Sequence, residues 1–168
     1  MDYQQIVEFH GHECPGLAMG YRMAKAAMNE LKGIRSEDEE IVAIVDNNAC
    51  GVDALQCITG CTFGKGNLIF HDYGKHVYTL YSRDTGEGVR VSFHGKGVEP
   101  GKSREEIKDF ILNAEDDELL SLTEVSITEP EPARIYQSVK CDICEEGVME
   151  TRIREIDGKK ICIPCSQK

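Results

Sequence analysis

The chain has 168 residues, 40% of them hydrophobic and 29% charged, with a formal net charge of −11. That length suits one core of ordinary domain size with a small satellite module left over. No apolar run approaches the roughly 20 residues of a membrane span, and the acidity speaks against nucleic acid, whose phosphates are bound through Lys and Arg.

The opening MDYQQIVEFH lacks a basic segment followed by an apolar one, so no secretion signal is expected and the protein is placed in the cytoplasm. Residues 2–9 read as a short helix with Ile6 and Phe9 on its inner side. FHGHECPG follows, and Pro15 favours a fresh helix start because its missing N–H would have had no partner there. Leu17, Tyr21, Ala24, Met28 and Leu31 recur at spacings of three and four, which predicts an amphipathic helix closed by Gly33. Cys14 is thereby placed at a helix N-cap.

IVAIVD, after the acidic SEDEE, has the length and continuous apolar character of a buried strand. CGVDALQCIT, residues 50–59, reads as a second helix, followed by the glycine-rich loop GCTFGKGN. NLIFHD, KHVYTLYSR and EGVRVSFHG are strand candidates, the last two joined by the hairpin-type turn DTG. Residues 103–120 read as helix, entered through a Ser103/Glu106 capping box, and TEVSIT as a further strand. The alternate prolines of EPEPARIYQSVK stiffen a connector. The expected organisation is therefore a core domain over 1–130, a linker over 131–140 and a metal module over 141–168.

Eight cysteines without a secretion signal are expected to be thiols or metal ligands rather than disulfides. CDIC at 141–144 and CIPC at 162–165 present Cys141, Cys144, Cys162 and Cys165 in paired C-x2-C spacing, the pattern of a structural zinc site with four thiolates. Between them METRIREIDGKKIC predicts a hairpin turning at Asp157-Gly158. The short tail after Cys165 leaves two forms open, a ribbon-like hairpin finger or a truncated treble clef.

His10, His12 and Cys14, taken as an extended segment, would face one pocket, and the helix start would favour a Cys14 thiolate. The same stretch also reads as a capped helix start with one surface and one packed histidine. Cys50, Asp53 and Cys57 share a helix face and Cys61 follows just past its end. Two cysteines at helix starts suggest a shared metal, whereas Cys57, between apolar neighbours, reads as a small core residue. GKGN could cradle an anion but lacks P-loop spacing. His71, His76 and His94 are isolated in strand-like segments.

FHGHECPG together with NNACGVDALQCITGCTFGKGNL and the terminal CDIC…CIPC resembles the E-subunit family of formylmethanofuran dehydrogenase, and DYGKH and the RDTGEGVRV hairpin fit as well. The resemblance implies an α+β fold, a thioredoxin-like mixed sheet flanked by helices with a zinc finger of treble-clef type, and homodimers with an active-site cleft that can hold zinc. The likeness to thioredoxin is one of fold only, since no C-x2-C precedes residue 141.

Carried over by position, the cleft ligands are His12, Cys14 and Cys50, with Cys61 and Lys65 close by. His12, Cys14, Cys50 and Cys61 are thus the expected ligands of zinc or another transition metal, and His10, Asp53 and Lys65 the candidate catalytic groups. The family takes its name from a molybdenum or tungsten formylmethanofuran dehydrogenase of methanogens. An accessory protein of that dehydrogenase is the first expectation, with the dehydrogenase as partner and neither nucleic acid nor membrane involved. A stand-alone zinc enzyme and a mere interaction module are the alternatives.

Overall fold

A computed structural model describes residues 1–33 and 35–168, in two compact units, Met1–Pro132 and Ala133–Lys168. The first unit opens with α1 (Tyr3–His10), whose free N–H groups are satisfied by an Asp2/Gln5 capping box. Tyr3, Ile6, Val7 and His10 form its inner stripe, and Ile6 is fully buried. Phe9 lies off that stripe and is 63% exposed, against the expectation that it packs inward.

Helix α2 (Pro15–Glu30) lies against α3 (Gly51–Thr59) and, through Ala24, Ala27 and Met28, against the sheet. The sheet comprises β1 (Ile41–Val45), β2 (Leu68–Phe70), β3 (Val77–Ser82), β4 (Gly88–Phe93) and β5 (Leu120–Val125), in the order β2-β1-β3-β4-β5. Only the β1–β2 pair is parallel, joined by the crossover that contains α3. Ala43 sits between Leu68 and Leu80, and Leu80 in turn pairs with Val89. Tyr78 pairs with Val45 and Val91, so one apolar face runs across these four strands beneath the helices.

The helix expected over 103–120 is divided into α4 (Arg104–Asn113) and α5 (Asp116–Leu119), with Ala114 extended between them. Arg22, from α2, gives the reason. Its guanidinium donates to the carbonyls of Ile111 and Ala114 at 2.7 and 2.6 Å and to Asp116 at 2.8 Å, satisfying acceptors that a continuing helix would have used. Strand β5 then starts at Leu120, earlier than TEVSIT suggested, because Leu120 and Leu122 complete the apolar face beside Phe93 and Val91.

Two glycines set the distance between α2 and α3. A Cβ on Gly20 would lie 2.2 Å from the Gly51 backbone, and one on Gly51 would lie 2.6 Å from the Tyr78 hydroxyl. Gly20→Ala is therefore expected to lower stability, because helix propensity favours alanine by only about 1 kcal/mol whereas overpacking a rigid core costs roughly 1–3 kcal/mol or more. A lower urea midpoint checks this; an unchanged or higher midpoint would show that the helices can separate freely.

The second unit contains two antiparallel hairpins, β6 (Ser138–Lys140) with β7 (Gly147–Met149) and β8 (Ile153–Ile156) with β9 (Lys159–Cys162). The second hairpin turns at Asp157 and Gly158, with φ of 50° and 74°, the left-handed pair that a two-residue hairpin loop needs. Helical turn α6 (Ile163–Ser166) follows and carries Cys165, so a short helical element closes the module. Strand β6 lies inside the segment 131–140 that was expected to be linker: a strand of three residues that gains its partner only across a knuckle leaves little periodicity to read.

No helix among the described residues is long and apolar enough to cross a membrane.

Candidate metal centre

Three elements bring four soft side chains together in the first unit. His10 is the last residue of α1, Gly11 turns the chain with φ of 92°, His12 is exposed in the loop, and Cys14 is the N-cap of α2. The stretch is therefore not the extended segment expected. The left-handed glycine folds His12 back until its ring lies 4.5 Å from that of His10. Cys14 is buried and its Sγ accepts the Leu17 N–H at 3.3 Å, which anchors the thiol at the helix start. Cys50, at the start of α3, completes the group, its position fixed by the close contact at Gly51.

One donor atom from each of His10, His12, Cys14 and Cys50 lies within 4.8 Å of all the others. Four donors at zinc bond lengths stand roughly 3.3–3.8 Å apart, so small side-chain rotations suffice to close the group on an ion. Two sulfurs and two imidazoles suit zinc or another borderline-soft metal. The strongest sign of fit is at His10. Its Nδ1 is 2.7 Å from Asp53 Oδ2, while its Nε2 is buried with no hydrogen-bond partner. A buried polar nitrogen left without a partner is costly, and a metal ion removes that cost.

Burial, with acidic neighbours second, makes unpaired negative charge costly here. Burial first, then the hydrogen bond and charge of Cys14, push the Cys50 thiol up from its ordinary value. Burial, with Asp53 and Cys50 adding to it, raises Tyr78 behind the site. Tyr3 is pushed up to about 12 by burial, then by Glu13 and Cys14, and its hydroxyl is likewise buried without a partner. From α4, Lys108 holds Glu13, between His12 and Cys14, at 3.0 Å. Tyr3, Tyr78 and Lys108 were not singled out by sequence reasoning, because nothing local marks them.

The other expected site residues lie elsewhere. Cys61 is fully buried, donates to the Ile41 carbonyl at 3.2 Å and is pushed up to about 11 by burial, so it packs beneath β1 rather than joining the donors. Lys65 donates to the carbonyls of Glu37 and Asp38 at 3.1 and 2.7 Å, tying two loops together instead of reaching the cleft. Beside it, buried Asn67 bonds Asp38, Ile41 and Thr62, which makes GKGN a braced connector. Cys57 is packed with Ile6, Leu17 and Ala54. His10 and Asp53, expected as catalytic groups, are brought to the donors, His10 as one of them and Asp53 behind it.

A second group forms in the other unit, where the sulfurs of Cys141, Cys144, Cys162 and Cys165 lie within 4.8 Å of one another. Cys141 Sγ accepts the Cys162 N–H at 3.3 Å, and the Cys144 and Cys162 sulfurs are 3.9 Å apart. N–H donors at Cys144, Cys162 and Ile143 draw Cys141 down to about 6. Cys165 is pushed up to about 12, chiefly by its hydrogen bond with Cys162 and by burial. Four sulfurs this close together are at the spacing at which one ion can be shared. They fit a structural zinc with a closed shell.

A family model described as FmdE, molybdenum formylmethanofuran dehydrogenase operon, matches residues 9–137. A second, the prokaryotic dksA/traR C4-type zinc finger, matches residues 134–168. A probable S-adenosyl-L-methionine-binding protein of Archaeoglobus fulgidus is 34% identical over 95% of this chain, which spans 50% of that relative's length. The solved structure of an FmdE-like protein of the tungsten formylmethanofuran dehydrogenase type, from Syntrophus aciditrophicus, superposes with a TM-score of 0.69 at 26% identity, covering 99% of this chain and 92% of that one.

Proposed function

We propose, from the premise that this chain belongs to the FmdE family, that it holds two metal ions: a structural zinc in the finger and a second transition metal, zinc in the first instance, in the core. The observation that carries the core site is the convergence of His10, His12, Cys14 and Cys50, with the buried His10 Nε2 aimed at no other partner. Four protein donors make a holding site, which suits an accessory protein that keeps or delivers metal. In this reading the protein is cytoplasmic and homodimeric and serves a molybdenum or tungsten formylmethanofuran dehydrogenase in the one-carbon metabolism of methanogenesis, binding neither nucleic acid nor membrane. Kinship with the thioredoxin fold belongs to the same reading, supported by a parallel β1–β2 unit followed by the antiparallel β3–β4 hairpin.

A stand-alone zinc enzyme is the second reading, and the exposure of His12 favours it. His12 sits on a loop and is the donor most readily exchanged for water or substrate. With a position open, a zinc ion lowers the pKa of bound water to about 7. Asp53 and His10 would then orient the site rather than serve as its base.

Metal analysis of the purified full chain tests the proposal. Two zinc equivalents per chain are expected, one retained against a weak chelator more firmly than the other. A chain that never holds more than one equivalent, with the finger intact, would remove the core site.

A further inference from the structure

We infer that Asp53 is a positioning residue which fixes His10 as an Nε2 metal donor, and that Gln56 fixes Asp53 in turn. This rests on the metal reading above. A carboxylate only accepts hydrogen bonds, so the 2.7 Å contact between Asp53 Oδ2 and His10 Nδ1 places the imidazole proton on Nδ1. Nε2 is then left with its lone pair, buried and without a hydrogen-bond partner, on a residue that stands among the donors His12, Cys14 and Cys50. The other carboxylate oxygen of Asp53 accepts from the Gln56 amide at 3.4 Å, one turn further along α3. One face of α3 therefore supplies a ligand, Cys50, and through Asp53 orients a second ligand that belongs to a different helix.

Helix α1 depends on this arrangement. It is eight residues long and contributes one fully buried side chain, Ile6, to the core. Its C-terminal end is tied to α3 through the His10–Asp53 bond, and a metal at the donor group would tie it a second time. The metal thus joins the N-terminal helix to the rest of the unit, and Asp53 sets the ring angle at which it does so. Partners in this position orient the ring and raise ligand basicity, and their loss typically weakens metal binding roughly 10- to 100-fold.

Cobalt(II) titration of the full chain in competition with a chelator tests the assignment, with the Cys50→Ala chain providing the finger contribution to be subtracted. The unaltered chain should give a difference spectrum of a tetrahedral site with two sulfurs and two nitrogens. Asp53→Ala should weaken that site roughly 10- to 100-fold and shift its ligand-field bands. Asp53→Asn, whose amide oxygen still accepts from Nδ1, should recover most of the loss. Because Asp53 is 39% exposed, the metal-free Asp53→Ala chain should keep its helical circular dichroism and lose no more of its urea midpoint than one hydrogen bond to a mostly buried His10 accounts for. Equal affinity and equal bands in Asp53→Ala would overturn the positioning role while leaving the metal site standing. Absence of the difference spectrum from the unaltered chain would overturn both.

Discussion

Cys144→Ser is expected to release one zinc per chain and unfold residues 133–168 while residues 1–132 stay folded. The buried apolar content of this unit is Cys141, Ile161 and Cys162, with Val148 and Cys165 packed beside them, and three of those five are the sulfur ligands themselves. Ile143, Met149 and Ile156 are 57%, 46% and 40% exposed and contribute little burial. Hairpins of three and four residues are at best marginal in water. Metal binding in zinc-finger peptides supplies roughly 10–16 kcal/mol, far more than such a core. Serine at 144 removes one of four thiolates and also the sulfur that lies 3.9 Å from Cys162. Amide hydrogen exchange would show loss of protection confined to the finger, and metal analysis would show the missing equivalent. Full zinc content with protected β8 and β9 amides would mean that the finger holds its fold by other contacts.

What could be read from the sequence divides by the range of the cause. The paired C-x2-C spacing and the Asp157-Gly158 turn are local, and both lie where the pattern placed them. So do the Cys14 cap and the helix over Gly51–Thr59, whose signals are a proline, a glycine and a run of helical spacing. The break after α4 could not be read, because the guanidinium that ends the helix comes from Arg22, 89 residues away. Cys50 and Cys61 flank the same helix, and both are expected ligands. The fold separates them, placing Cys50 with Cys14 among the donors and Cys61 under β1. His10 was expected beside the ligands as a candidate base, and the structure makes it one of the four donors. Its position as the last helical residue before a glycine is the signal that its ring could fold back on His12.

Cys14→Ala is expected to abolish core metal binding and also to cost stability. The sequence makes Cys14 a ligand at a helix start. The structure adds that its Sγ caps α2 by accepting the Leu17 N–H at 3.3 Å and that the residue is 4% exposed, packed with Ile6 and Leu17. Loss of an N-cap costs roughly 0.5–2 kcal/mol, and removing a buried sulfur adds a small cavity. A fall in the urea midpoint of the metal-free chain would therefore accompany the loss of metal, and alanine alone could not separate the two effects. Serine separates them. A serine hydroxyl is among the best N-caps but is a poor ligand for a soft metal. Cys14→Ser should thus keep most of the metal-free stability, lose the core metal and retain the finger zinc. If the serine variant bound the second metal as tightly as the unaltered chain, Cys14 would be a cap and nothing more, and the remaining donors His10, His12 and Cys50 would have to hold the ion alone.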